Sequence, residues 1–307
     1  MPPRKPNKPK AAGTALRPVR PGCGIELQYR RRLEAMTEEL HASILWWVRA
    51  EYRKHPPALA QDATPFDFLR RLAAKLRNKW LKRIEDAAPR LAEYFATAAA
   101  NRVDANLKRI LRDSGFSIKF QHTKAMQDAQ AACIHENVCL IRSIASQYLE
   151  GVEGIISRSY AAGYDLKQVT DELQDRYKIS RKRAKFIAND QSKKLNSAFA
   201  RQRFIESGIK TAVWRHSMAA REPRRTHLHM DGEVFDVEKG MYDPEAYRLK
   251  GGAFRGEWVQ PGWLIGCKCS AIPFIPAFGV GTEENLPPRS VRVIPRKIKT
   301  RAKAKAA

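Results

Sequence analysis

Two closely spaced residue pairs carry most of the chemistry this chain's side chains could perform. His227 and His229 flank one residue, as do Cys267 and Cys269. In an extended strand alternate side chains share a face, so each pair can present two ligands together. Two imidazoles and two thiolates suit tetrahedral zinc, which would be a structural site. The same residues also read as a hydrogen-bonded histidine beside two buried thiols holding a loop-rich domain together. Cys-x-Cys lacks the two-residue spacing of zinc knuckles, so both readings stand at this point.

Catalytic readings find less support. Asp231, Glu233 and Asp236 lie close in sequence to His227 and could be imagined as carboxylates of a metal-dependent nuclease. Their spacing is not diagnostic, and Asp231-Gly232 is better explained as a turn. A thiol nucleophile, Cys267 or Cys269 with His227, has no flanking signature. Gly279-Val280-Gly281 lacks the third glycine and the following helix of a phosphate loop. Arg224 and Arg225 read as partners of Asp231 or Asp236, or as contacts to phosphate or an acidic protein. Cys133 and Cys139, six residues apart near His135, read as buried apolar cysteines.

The elements that must position these residues follow from periodicity. Leu33, Met36, Leu40, Ile44 and Trp47 recur at helical spacing and predict a helix that Pro56-Pro57 ends. Thr64-Pro65 opens a second run on Leu69, Leu72, Leu76 and Trp80. Pro89 divides it from a third, which Gly115 stops. Phe116–Phe120 reads as a short strand, and a further helix carries Ile134, Val138, Ile141, Ala145 and Tyr148. Asp165 to Gln168 resembles a capping box before a helix on Val169, Leu173 and Tyr177. Ser180 then caps a separate helix on Ala184, Ile187, Ala188, Gln191, Leu195 and Phe199, closed by Gly208. Thr211–His216 looks like a strand. Asp231-Gly232 turns the histidine segment into a hairpin with Glu233–Val237, and 258–259 and 270–272 give two more short strands.

The expected class is therefore α+β: a long N-terminal helical domain, then a small mixed α/β-hairpin domain, between basic flexible tails. The boundaries are 1–22 for a basic Pro-rich arm, 23–160 for the helical domain, 161–276 for helices leading into a β-rich module at 209–276, and 277–307 for a basic tail.

Charge points to a partner. Over 307 residues the net charge is +25, with +6 on residues 1–22, +6 on 277–307 and +13 on the body between. Such a distribution suits a polyanion, and non-specific double-stranded DNA is the natural one. Arg181, Lys182, Arg183 and Lys185 on the predicted outer helix face, with Arg296 and Lys297 in the tail, are the contact candidates. No run of 18 apolar residues exists, so no membrane partner is expected. Five cysteines in a chain of this length do not form a disulfide framework and fit a reducing cytoplasm.

Trp214, Arg224-x-x-His227-x-x-Met230-Asp231-Gly232, Pro261-Gly262 and Cys267-Lys268-Cys269 before Pro273 occur in an order that resembles the Mu F-type phage head morphogenesis (minor capsid protein) family. Lys268 stands where that family usually has Arg, and His229 has no counterpart in it. Arg183-Ala184, Ile187-Ala188 and Asp190-Gln191 resemble the family's helical lead-in, so the likeness covers about residues 165–276. The resemblance implies a non-enzymatic minor head protein that takes part in procapsid and head assembly. It implies portal and major capsid or scaffold proteins as partners, packaged DNA nearby, and residence in the host cytoplasm during assembly and then the virion head interior. The alternatives are a metal-dependent nuclease acting on phage DNA and a free DNA-binding protein.

Overall fold

A computed structural model of the protein describes residues 13–54, 65–161, 165–218, 222–250 and 252–276. Residues 1–12 and the basic tail with Arg296 and Lys297 lie outside the described residues. Element order is β1 (Gly13–Ala15), α1 (Cys23–Lys54), α2 (Pro65–Asp113), α3 (Lys124–Ala161), α4 (Leu166–Glu206), β2 (Thr211–Arg215), α5 (Arg225–His229), β3 (Val234–Asp236), β4 (Met241–Arg248), β5 (Phe254–Val259) and β6 (Ser270–Pro276). The class is α+β, long helices first and antiparallel sheet last.

Each long helix buries one stripe. On α1 it is Tyr29, Leu33, Leu40, Ile44, Val48 and Tyr52, with Thr37 and His41 in the same rows. The stripe is turned relative to the predicted one: Val48 is buried, Met36 is half-buried and Trp47 is exposed. Tyr29 stacks on Phe95 of α2 at 3.9 Å between ring centroids. Each fully buried side chain of this size contributes roughly 1.5–3 kcal/mol relative to exposure.

Two predicted helix breaks do not occur. Pro89 lies inside α2. It forfeits one backbone hydrogen bond, but Ile84, Ala88, Ala92 and Phe95 on both sides of it are buried in one core, which holds both halves in line. Ser180 is a buried mid-helix residue of α4, because no Pro or Gly interrupts residues 166–206. Asp165 does cap α4, accepting from the Lys167 N–H at 2.9 Å, while Gln168 turns to Glu172 instead of closing the box. The segment 116–120 has no strand partner and runs as a connector from α2 to α3.

α2 packs on α3, and α4 on both α1 and α3. Buried polar groups bridge these contacts. Tyr29 Oη donates to Asn137 Oδ1 at 3.0 Å, and Asn137 Nδ2 donates to Gln191 Oε1 at 3.1 Å. His41 donates from Nε2 to Gln174 Oε1 at 3.0 Å, and its Nδ1 shares a 2.8 Å hydrogen bond with Tyr148 Oη. Arg203 is 3 % exposed; it clasps Asp104 of α2 with two bonds of 2.7 and 2.8 Å and reaches Glu206 and the Gln121 carbonyl with Nη1.

The sheet order is β1-β6-β2-β3, all antiparallel, with β4 and β5 as a separate bulged hairpin. β1 pairs with β6, Val19 is buried, and Asn106 and Asn196 donate to the Arg20 and Val19 carbonyls. Residues 13–20, expected within a free arm, are thus fixed to both the helices and the sheet. Edge pairing supplies the backbone partners that their low apolar content gave no sign of.

Arg203→Ala leaves two carboxylates facing each other without a cation, so chemical denaturation should read a loss of about 3 kcal/mol. Burial lowers the His41 pKa from its ordinary 6.5. The unfolded chain therefore takes up a proton first, and stability is complete above pH 6.5 and lost as pH falls through the folded value. Denaturation midpoints at pH 7.5 and 5.5 should differ less in His41→Gln than in the wild type.

Candidate metal centre

α5 decides which histidine faces inward. On a helix residues two apart point to nearly opposite sides. His227 is accordingly 2 % exposed, while His229 faces solvent. The expected strand carrying both imidazoles is thereby corrected, and His229 is removed from the ligand set. The hairpin partner of β3 is β2, with the short helix lying between them in sequence.

Cys267 and Cys269 lie in the extended stretch that enters β6, and both are buried. Their alternate positions place both sulfurs 3.5 Å from His227 Nδ1. The three ligating atoms lie within 4.8 Å of one another. On the far side of the ring, Nε2 lies 3.1 Å from Oδ2 of Asp243, which is 0 % exposed. Asp243 Oδ1 accepts from the Glu245 N–H at 2.9 Å. A carboxylate at Nε2 places the ring proton there, so the Nδ1 lone pair faces the sulfurs.

The two thiols act as one acid. A hydrogen bond from Cys269 holds the Cys267 thiol well below its usual range, against burial, which raises it. The Cys267 sulfur in turn pushes Cys269 up, and burial adds to it. The Trp214 indole and the Ser217 N–H act on Cys269 in the opposite sense and favour its thiolate. Trp214 is fully buried, edge-on to His227 at 5.1 Å between ring centroids.

The remaining motif residues hold backbone. Asp231 Oδ1 accepts from the His216 N–H at 2.9 Å, and the Gly232 N–H donates to the Trp214 carbonyl at 2.8 Å. Gly232 adopts φ 87°, which favours glycine. Arg224 donates to the Ile265 carbonyl at 3.0 Å; it pairs with neither Asp231 nor Asp236. Asp236 caps the Glu238 and Lys239 N–H groups. Asp190 of α4 accepts from the Gly266 N–H at 2.5 Å, and Ser197 donates to the Pro261 carbonyl. These contacts aim the cysteine loop at α5.

Arg181, Lys182 and Lys185 are exposed, and no described carboxylate pairs with them, whereas Arg183 is half-buried and donates to Ser143 Oγ. Cys139 is exposed rather than buried; Cys133 is half-buried, and burial pushes its thiol up to about 12. Sequence reasoning missed Asp243 because it is 16 residues from His227 and shares no periodicity with it. It also passed over His216, visible only as the end of a Trp-containing strand.

Gly262 has φ 83°, and a Cβ there would stand 3.2 Å from Ser197 Cβ. Gly262→Ala should therefore lower stability by about 1–3 kcal/mol, read from thermal or urea unfolding, while Gly24→Ala, in open space, should not.

Residues 150–272, from the last turns of α3 into β6, match the family described as Phage Mu protein F like protein. The chain is also similar to an uncharacterized protein of Haemophilus influenzae, 28% identical over 277 residues. That alignment covers 87% of this chain and 57% of the relative, so the chain spans little more than half the relative's length. No solved structure matches the chain. The matched segment contains α4, the Trp214 strand, the His227–Asp231–Gly232 turn and the closing cysteine pair, and it is over this segment that the chain is similar to Phage Mu protein F.

Proposed function

We propose that this protein is a minor head protein of a tailed phage. It takes part in procapsid and head assembly, joins the portal with the major capsid or scaffold proteins, and lies against packaged double-stranded DNA in the head interior. The observation that carries this reading is the Mu F-like match across the segment in which the motif residues hold one another in place. A non-enzymatic role is supported by the burial of His227, Cys267 and Cys269, which leaves substrate no access to them. Asp231 and Asp236, two of the three carboxylates of the nuclease alternative beside Glu233, are engaged with backbone N–H groups.

Two surfaces support the partners. Tyr242, Phe254 and Trp258 on the β4–β5 hairpin, with Trp263 and Ile265, are exposed large apolar side chains of the kind found at protein interfaces. Arg181, Lys182 and Lys185 give α4 a solvated cationic edge on a chain of net charge +25. Among the described residues no helix is long and apolar enough to cross a membrane.

Quantitative mass spectrometry of procapsids and filled heads, from a phage carrying this gene, should find a few copies per particle. Absence from both overturns the reading. For the DNA contact, binding measured across a salt series should weaken linearly in log–log form. Replacing Arg181, Lys182 and Lys185 together by Ala should make the slope shallower by about 2–3. An unchanged slope removes α4 from the DNA-facing surface.

A further inference from the structure

We propose that the small domain binds one zinc ion per chain, through His227 Nδ1, Cys267 Sγ and Cys269 Sγ. The proposal is independent of the head-protein reading. Tetrahedral zinc with Zn–S near ~2.3 Å and Zn–N near ~2.05 Å requires N···S edges of about 3.6 Å. Both edges here are 3.5 Å. The imidazole nitrogen therefore already stands at the spacing a zinc tetrahedron requires from each sulfur.

The surroundings are those of a ligand rather than a core histidine. His227 is oriented by Asp243, a completely buried carboxylate, in the carboxylate–histidine arrangement that fixes a metal-binding imidazole. One imidazole nitrogen and two sulfurs select zinc over the oxygen-seeking magnesium and calcium.

His227, Cys267 and Cys269 are each less than 8 % exposed, so an ion held by them is shielded from substrate and structural. It would join α5 to the start of β6, with β4 attached through Asp243. The cysteines bind as thiolates, and any proton they carry passes to solvent.

The test uses the full chain, purified under reducing conditions without chelators or a polyhistidine tag. Elemental analysis should find about one zinc per chain, and His229→Ala should retain it. Cobalt(II) exchanged into the protein should give thiolate-to-metal charge-transfer absorption, which Cys267→Ser and Cys269→Ser each diminish. His227→Ala should keep that absorption, change the d–d bands and weaken zinc binding by at least ~10-fold. His227→Cys, which restores a third ligand, should recover tight binding if His227→Ala folds poorly. A chain that is purified without zinc and gives no charge-transfer absorption on cobalt titration overturns the site. Unchanged zinc affinity and d–d bands in His227→Ala overturn the ligand set.

Discussion

Helix α4 is buried on two sides, and that constraint fixes the rest of the molecule. One side carries Val169, Leu173, Ala184, Ile187, Leu195 and Phe199 into the helical core. The other holds the small module by polar contacts with its loops: Asp190 to the Gly266 N–H, Ser197 to the Pro261 carbonyl, and Arg201 to the Val237 and Glu238 carbonyls. Side-chain phase on a helix is set by its 3.6-residue repeat, so the module's position is locked to the bundle's. Near the end of α4, Arg203 ties the same helix to α2 through Asp104. A single uninterrupted helix is what allows these attachments to act as one frame.

The small module has a different physical problem. Its strands are three to eight residues long, and much of its backbone lies in turns. Loops there are held by side chains that satisfy backbone groups: Asp231 at His216, Arg224 at Ile265, Asp236 at Glu238 and Lys239, Gln260 at Val237. Into the same interior the chain places a histidine, two thiols and a carboxylate. Such groups are expensive to bury singly and acceptable only as a mutually satisfied set. The His227 ring meets that condition on both nitrogens, with Asp243 on one and the sulfurs on the other.

Sequence reading succeeded where the signal was periodic and failed where tertiary contact overrode a local rule. The α1, α2 and α4 stripes were legible in apolar spacing. Pro89 was read as a break because local chemistry says so, yet packing on both sides carries α2 through it. His227-x-His229 looked like alternating strand residues, and five residues of helix give no periodicity long enough to say otherwise. Of the four residues read as ligands, three assemble, because Cys267 and Cys269 sit in extended backbone where alternation holds. Asp243 comes from β4, an element whose Asp-Pro sequence does not read as strand. β1 was hidden in a Pro-rich segment, since its stability comes from β6 rather than from itself.

The residues that carry the family likeness can be sorted by what they touch. Asp231 and Gly232 close the turn from α5 to β3, Pro261 and Gly262 fit against Ser197, and Arg224 holds the loop before Cys267. Trp214 packs between His227 and Phe235. These side chains and backbone groups meet the rest of the module or, at Pro261 and Gly262, helix α4, so the motif specifies a shape. What the shape displays outward is the aromatic hairpin of Tyr242 and Trp258 and the cationic edge of α4. The histidine, the thiols and the carboxylate of the module turn inward because only there do they satisfy one another.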